Sequence, residues 1–212
     1  MDGVRRYLDQ VRQTLTRVPE ESVNGAIDVL LCANRLGNTV FTMGNGGSAA
    51  TASHFACDLA KGTITIDQPR FRVRALTDSL SLMTAWSNDV AYEAVFAEQL
   101  RGWLQPGDVV VAFSGSGNSL NVLHGVELAN ELGAITIGFT GFDGGELSKL
   151  VDLSVWVPCD CMEQVEDVHM TLCHLMASVV RARLEQGAAL ACPPLDVVGE
   201  GHLPELVSSA RE

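Results

Sequence analysis

His54 and Asp58 stand four residues apart in a segment with helical patterning, so they share one face of it. An imidazole and a carboxylate so placed can exchange protons with a substrate or hold a divalent cation. A second cluster lies near the end of the chain: Glu163, Glu166, Asp167, His169 and His174. On a helix, Glu166 and His174 differ by roughly 80° and about 12 Å of rise, so they touch one metal only if their side chains converge. His169 and Cys173 make another pair four apart. Plainer roles compete with each of these. Acidic residues early in a helix complement its dipole, and a lone helical histidine can simply be packed or solvated.

Two loops are built to meet an anion. Gly44-Asn45-Gly46-Gly47-Ser48 follows the β-rich run Thr39–Met43, and Ser114-Gly115-Ser116-Gly117-Asn118-Ser119 follows the apolar run Asp108–Phe113. Each opens a helical segment. Glycines admit close backbone approach, hydroxyls add donors, and a helix start offers free N–H groups and a positive dipole end. Ser48 takes the expected N-cap position of its helix. Ordinary capped turns would look similar singly, but two such loops in matching places point to a phosphate. A GxxxxGK[ST] motif is absent, which excludes a P-loop. Dinucleotide binding is a minor alternative, because Ala49 stands at the third glycine position and no acidic residue ends a second strand at the right distance.

The elements around these residues alternate. Helical periodicity covers 3–17 and 20–36, the latter ending at Gly37-Asn38. Strands are predicted at 39–43, 71–76, 108–113, 134–139 and 153–157, and helices at 48–60, 80–86, 92–104, 120–131 and 163–186. Apolar strands alternating with helices give an α/β fold with an open, doubly wound parallel sheet. In such sheets ligands bind beyond the carboxyl ends of the strands, where both loops fall. One domain is expected over 1–187, including the helices within 3–36, with 188–212 a loose tail.

Composition sets the outer bounds. The 212 residues are 47% hydrophobic and 19% charged, which is globular. A formal charge of −12 argues against a basic nucleic-acid surface. The N-terminus has no apolar core of a signal peptide, and no apolar run is long enough to span a bilayer, so a cytoplasmic protein is expected. The six cysteines then read as reduced thiols. Cys159-Asp160-Cys161 is too tightly spaced to be a zinc knuckle by itself.

Taken in order, Gly44–Ser48, His54-Phe55-Ala56, Ser87-Asn88-Asp89, Ser114–Ser119 and Thr140-Gly141-Phe142-Asp143-Gly144-Gly145 resemble the sugar isomerase (SIS) domain over about residues 20–186. More narrowly the chain resembles the phosphoheptose isomerases, which interconvert sedoheptulose 7-phosphate and D-glycero-D-manno-heptose 7-phosphate. The resemblance implies a five-stranded flavodoxin-like parallel sheet and a homotetramer with sites between subunits. It implies that Ser114, Ser116 and Ser119 bind phosphate, that Asn45, Gly46 and Ser48 meet the sugar, and that Asp89 lines the pocket. It also implies one zinc per site, held at the positions of His54, Asp58, Glu166 and His174, with Glu166 also touching substrate.

Two of those four positions depart from the family. Asp58 stands for a glutamate and Glu166 for a glutamine, and Gly115 replaces a common threonine. A base shortened by one methylene matters, because about 1 Å of misplacement can cost on the order of a hundredfold. A carboxylate at 166 strengthens the site for a divalent cation, and two histidines with two carboxylates suit zinc. The expected reaction is aldose–ketose isomerisation through an enediol, with Asp58 as base and His174 as acid–base partner. Two alternatives keep the fold without the chemistry: a SIS protein that binds a replication initiator, and a sugar-phosphate sensor.

Overall fold

A computed structural model describes residues 3–187. Eight helices and five strands run in the order α1 (Gly3–Leu15), α2 (Glu20–Leu36), β1 (Thr39–Gly44), α3 (Gly46–Cys57), β2 (Arg72–Ala75), α4 (Leu80–Asp89), α5 (Val95–Arg101), β3 (Val109–Phe113), α6 (Leu120–Glu131), β4 (Ile135–Thr140), α7 (Leu147–Leu150), β5 (Leu153–Trp156) and α8 (Met162–Glu185). The expected α/β architecture is therefore present. The expected tail at 188–212 lies outside the described residues.

The strands form one parallel sheet in the order β2-β1-β3-β4-β5. Side chains on a strand alternate between faces, and here both faces are covered. Val109, Val111 and Phe113 join a core with α2, α3 and α8. Val110 and Ala112 join a second core with α5 and α6. This explains why every residue of β3 and β4 is buried, and why β3 is apolar throughout rather than alternating.

The strand order reverses direction at β1 and β3, which are direct neighbours with Gly44 level with Phe113. A crevice opens at such a switch point, beyond the carboxyl ends of the two strands. The loops 44–48 and 114–119 border it. A third loop, 141–145, laces onto the second: Gly141 N–H donates to Gly115 O at 2.8 Å and Leu147 N–H to Gly117 O at 2.9 Å. Gly117 carries φ +68°, and a Cβ there would run into the Gly144 carbonyl, so only glycine fits.

Three expectations are corrected. Asn45, not Ser48, is the N-cap of α3; Ser48 is buried inside the first turn. The helix predicted to run through Ala60 leaves α-geometry at Asp58 for a π-helical turn, Asp58–Gly62. Cys57, Cys159, Cys161 and Cys173 are free thiols as expected, but Cys32 is disulfide-bonded.

Candidate active site

Helices α3 and α8 pack on the same face of the sheet, and each brings a histidine to their contact. His54 Nε2 and His174 Nε2 lie 2.9 Å apart. The rings meet edge to face, with centroids 4.9 Å apart. Asp58 opens the π-helical turn, and such turns re-aim side chains relative to a regular helix. Its Oδ2 lies 3.5 Å from His54 Nε2 and 3.8 Å from His174 Nε2. The side chains of His54, Asp58 and His174 are 47%, 24% and 55% exposed, so a ligand can reach all three.

The donors suit a metal. Tetrahedral zinc with bonds of 2.0–2.1 Å implies ligand atoms about 3.3 Å apart. The three separations of 2.9, 3.5 and 3.8 Å bracket that edge. Among the described residues this is the group of histidine, cysteine and acidic side chains close enough to share an ion. Three donors leave a fourth position for a ligand, as catalytic zinc sites do.

Glu166 is not in that group. Its carboxylate abuts Gly47 at the start of α3, where a Cβ on Gly47 would collide with both carboxylate oxygens. A carboxylate is favourable at a helix N-terminus. The four-residue ligand set expected from the resemblance is thus assembled in three of its members, with the fourth placed on the neighbouring loop. Cys173, beside His174, is buried, and burial together with the nearby Asp58 carboxylate pushes its thiol pKa well up. A neutral thiol is a poor metal ligand.

His169 is also removed from the chemistry. It is 1% exposed, surrounded by Phe113 and Phe139, and its Nε2 meets the Thr140 carbonyl at 3.3 Å. Burial pushes its pKa down to about 4, partly offset by that hydrogen bond. Its role is to seat α8 on the end of β4. Glu163 accepts from the Cys161 thiol, and Asp167 accepts from the Tyr7 hydroxyl at 2.7 Å, which pushes Tyr7 up to about 12.

The helix starts differ in an informative way. Ser79 caps α4, its side chain accepting from Leu82 N–H. Neither Asn45 on α3 nor Ser119 on α6 makes such a bond. Both residue types are strong caps, and withholding one forgoes about 1 kcal/mol. The first donors of α3 and α6 are therefore not taken by their own caps. In the loop before α6, Ser114 Oγ lies 3.4 Å from Ser119 Oγ, and Ser116 Oγ accepts from Asn118 N–H. Gly46 and Ser48 follow Asn45 in the first turn of α3.

Asp89 ends α4, exposed, with its carboxylate accepting from Asn88 Nδ2 at 2.7 Å. No contact joins it to the histidine cluster among the described residues. Three residues that sequence reasoning passed over adjoin the loops. Tyr92 and Asn121 hydrogen-bond Asn45, and the Met162 sulfur fills the space that a side chain at Gly115 would take.

Comparison with known proteins then decides the family. The SIS domain model matches residues 6–141. A phosphoheptose isomerase of Geotalea daltonii is 40% identical over 158 residues, 74% of this chain and 82% of that protein. The chain belongs to the phosphoheptose isomerase branch of the SIS domain family. A probable phosphoheptose isomerase of Thermoplasma acidophilum is similar over more of the SIS protein, 35% identical across 83% of it and 96% of the relative. Among solved structures, phosphoheptose isomerase GmhA from Neisseria gonorrhoeae superposes with a TM-score of 0.78 at 30% identity, covering 84% of this SIS protein and 95% of that chain.

Proposed function

We propose that this SIS protein interconverts sedoheptulose 7-phosphate and D-glycero-D-manno-heptose 7-phosphate, acting in the cytoplasm as a homotetramer. The observation that carries the reading is the His54–Asp58–His174 cluster between α3 and α8, the same two helices that border the crevice through Glu166 against Gly47 and Met162 against Gly115. An acid–base centre and an anion cradle in one crevice are what a phosphosugar isomerase requires.

Two loops compete for the phosphate, and Glu166 favours one of them. Its carboxylate sits against the start of α3 and would repel a second anion there. The phosphate therefore goes to Ser114, Ser116 and Ser119 with the first N–H groups of α6. Asn45, Gly46 and Ser48 meet the sugar, Glu166 accepts from its hydroxyls, and Asp89 contributes at the rim.

Zinc is the metal the donors fit, held by His54, Asp58 and His174, with Glu166 joining only by leaving Gly47. When bound, it polarises the substrate carbonyl and stabilises negative charge on its oxygen. Asp58 removes the carbon-bound proton beside the carbonyl and returns it to the neighbouring carbon. With its Nε2 free of metal, His174 passes the hydroxyl proton between the two oxygens. Its Nε2 cannot hold a metal and a proton at once, so the zinc dependence of the rate separates these roles.

The test is to incubate the purified protein with sedoheptulose 7-phosphate in deuterated buffer, with and without zinc, and to follow the sugar by NMR. Aldose formation is expected, with deuterium at C2 if the Asp58 proton exchanges with solvent. If no aldose forms while the sugar phosphate still raises the melting temperature, the protein binds without catalysing and the isomerase reading fails.

A further inference from the structure

Asn45 holds a capping position on α3 but turns its side chain away from the helix. Its Oδ1 accepts from Asn121 Nδ2 at 2.8 Å, and its Nδ2 donates to Asn121 Oδ1 at 2.8 Å. The Tyr92 hydroxyl donates to the same Oδ1 at 2.7 Å. Asn121 lies in the first turn of α6 and is 2% exposed. A reciprocal amide pair therefore joins the start of α3 to the start of α6.

This arrangement has two consequences. First, an amide facing another amide with both bonds made is fixed in plane and in register. The loop that meets the sugar is thus tied to the loop that meets the phosphate. Second, an asparagine at an N-cap otherwise accepts from the N–H two or three residues on. The bond to Asn121 stops Asn45 from doing so and leaves the donors of α3 open. Asn121 is buried, so removing it leaves Asn45 without its pairing partner, and capping α3 is the available remedy.

We propose that Asn121 and Tyr92 are positioning residues that hold Asn45 off the α3 N-terminus. By tying that loop to the phosphate loop, they set the length of sugar phosphate that spans from the cradle to the acid–base cluster. The idea rests on the isomerase reading above. Neither residue need touch substrate; both act through Asn45.

The experiment compares the unaltered protein with Asn45→Ala, Asn121→Ala, Asn121→Asp, Tyr92→Phe and the double variant Asn45→Ala/Asn121→Ala. Each is assayed with sedoheptulose 7-phosphate and with the shorter fructose 6-phosphate, and each ligand is also titrated calorimetrically. Asn121→Ala is expected to lower kcat/KM for the seven-carbon substrate 10- to 100-fold, mainly through KM. It should also narrow the preference over the six-carbon sugar at least fivefold. Asn121→Asp keeps one of the two bonds and should fall between. Tyr92→Phe should show a smaller loss, under tenfold. Asn45→Ala also removes Asn45's own contact with the sugar, so the double variant should lose more than Asn121→Ala but less than the product of the two single losses, because both changes break one shared contact.

A merely structural role would weaken both sugars equally, and an unchanged preference overturns the proposal. Multiplying losses in the double variant do the same. The affinities measured by calorimetry carry the same comparison without turnover. A chain that binds both sugars but isomerises neither sinks the isomerase reading, while its binding preference still decides the role of Asn121.

Discussion

Asp58, His54 and His174 converge although His54 lies in the last turn of α3, Asp58 opens the π-helical turn after it and His174 is 120 residues from His54. Asp58→Asn keeps the size of the side chain and removes the base. It should lower kcat by about 10²- to 10⁴-fold, the range expected for one general base. His174→Ala should lose at least a hundredfold. Both side chains are accessible to solvent, so neither change should alter the melting temperature by more than a few degrees, as scanning calorimetry would check. Wild-type rates in either variant would remove that residue from the mechanism. The i, i+4 spacing made the His54–Asp58 pair legible in the sequence. The convergence of His174 was carried by the resemblance, since 80° and 12 Å of helix separate it from Glu166 and only the packing of α3 on α8 chooses between them. The π-helical turn at Asp58 had no sequence signal, as nothing in Asp58–Gly62 breaks an α-helix before its glycine. The Asn45–Asn121 pair was equally hidden: its members are 76 residues apart and meet only because β1 and β3 are neighbours.

Helix α8 is the element that organises the crevice. Met162 lies over Gly115, Val165 over Gly141, Glu166 over Gly47, and His174 beside His54. One helix thus touches all three loops, and the glycines there mark close approach as much as backbone freedom. The sequence displayed those glycines but not what lay above them. Two substitutions separate the cases. Gly47→Ala meets only the end of the flexible Glu166 side chain, which can swing away. Its stability should change by less than about 1 kcal/mol, since alanine also favours a helix. Activity should nevertheless fall as Glu166 leaves its place. Gly117→Ala meets the Gly144 backbone at φ +68° and should destabilise by about 1–3 kcal/mol. Denaturant melts and initial rates on both proteins check this. A stability loss in Gly47→Ala equal to that in Gly117→Ala would show that Glu166 is rigidly held.

At the scale of the whole molecule, α4 buries no residue of its own and exposes Leu80 and Leu82, while α1 exposes Val4 and Leu8. Apolar faces left open on one chain fit the proposed assembly. Light scattering should then give four times the chain mass of 22.7 kDa, and a monomeric mass would overturn the tetramer. Stability of the fold as a whole should depend on pH through His169. Its folded pKa of about 4 lies below the ordinary value of 6.5, because burial among aromatic rings disfavours the charged imidazole. The unfolded chain therefore binds a proton more readily than the folded one between those values. Stability is intact above pH 6.5, falls as pH drops through the window, and levels off for this group below 4. A shift of that size amounts to about 3 kcal/mol at most. Carboxylates add their own dependence at the acid end, so the comparison is with His169→Gln, which cannot titrate. Urea unfolding at pH 7 and pH 5 should show the wild-type protein losing more stability than the variant. Equal losses would mean that the histidine takes up its proton without leaving the core.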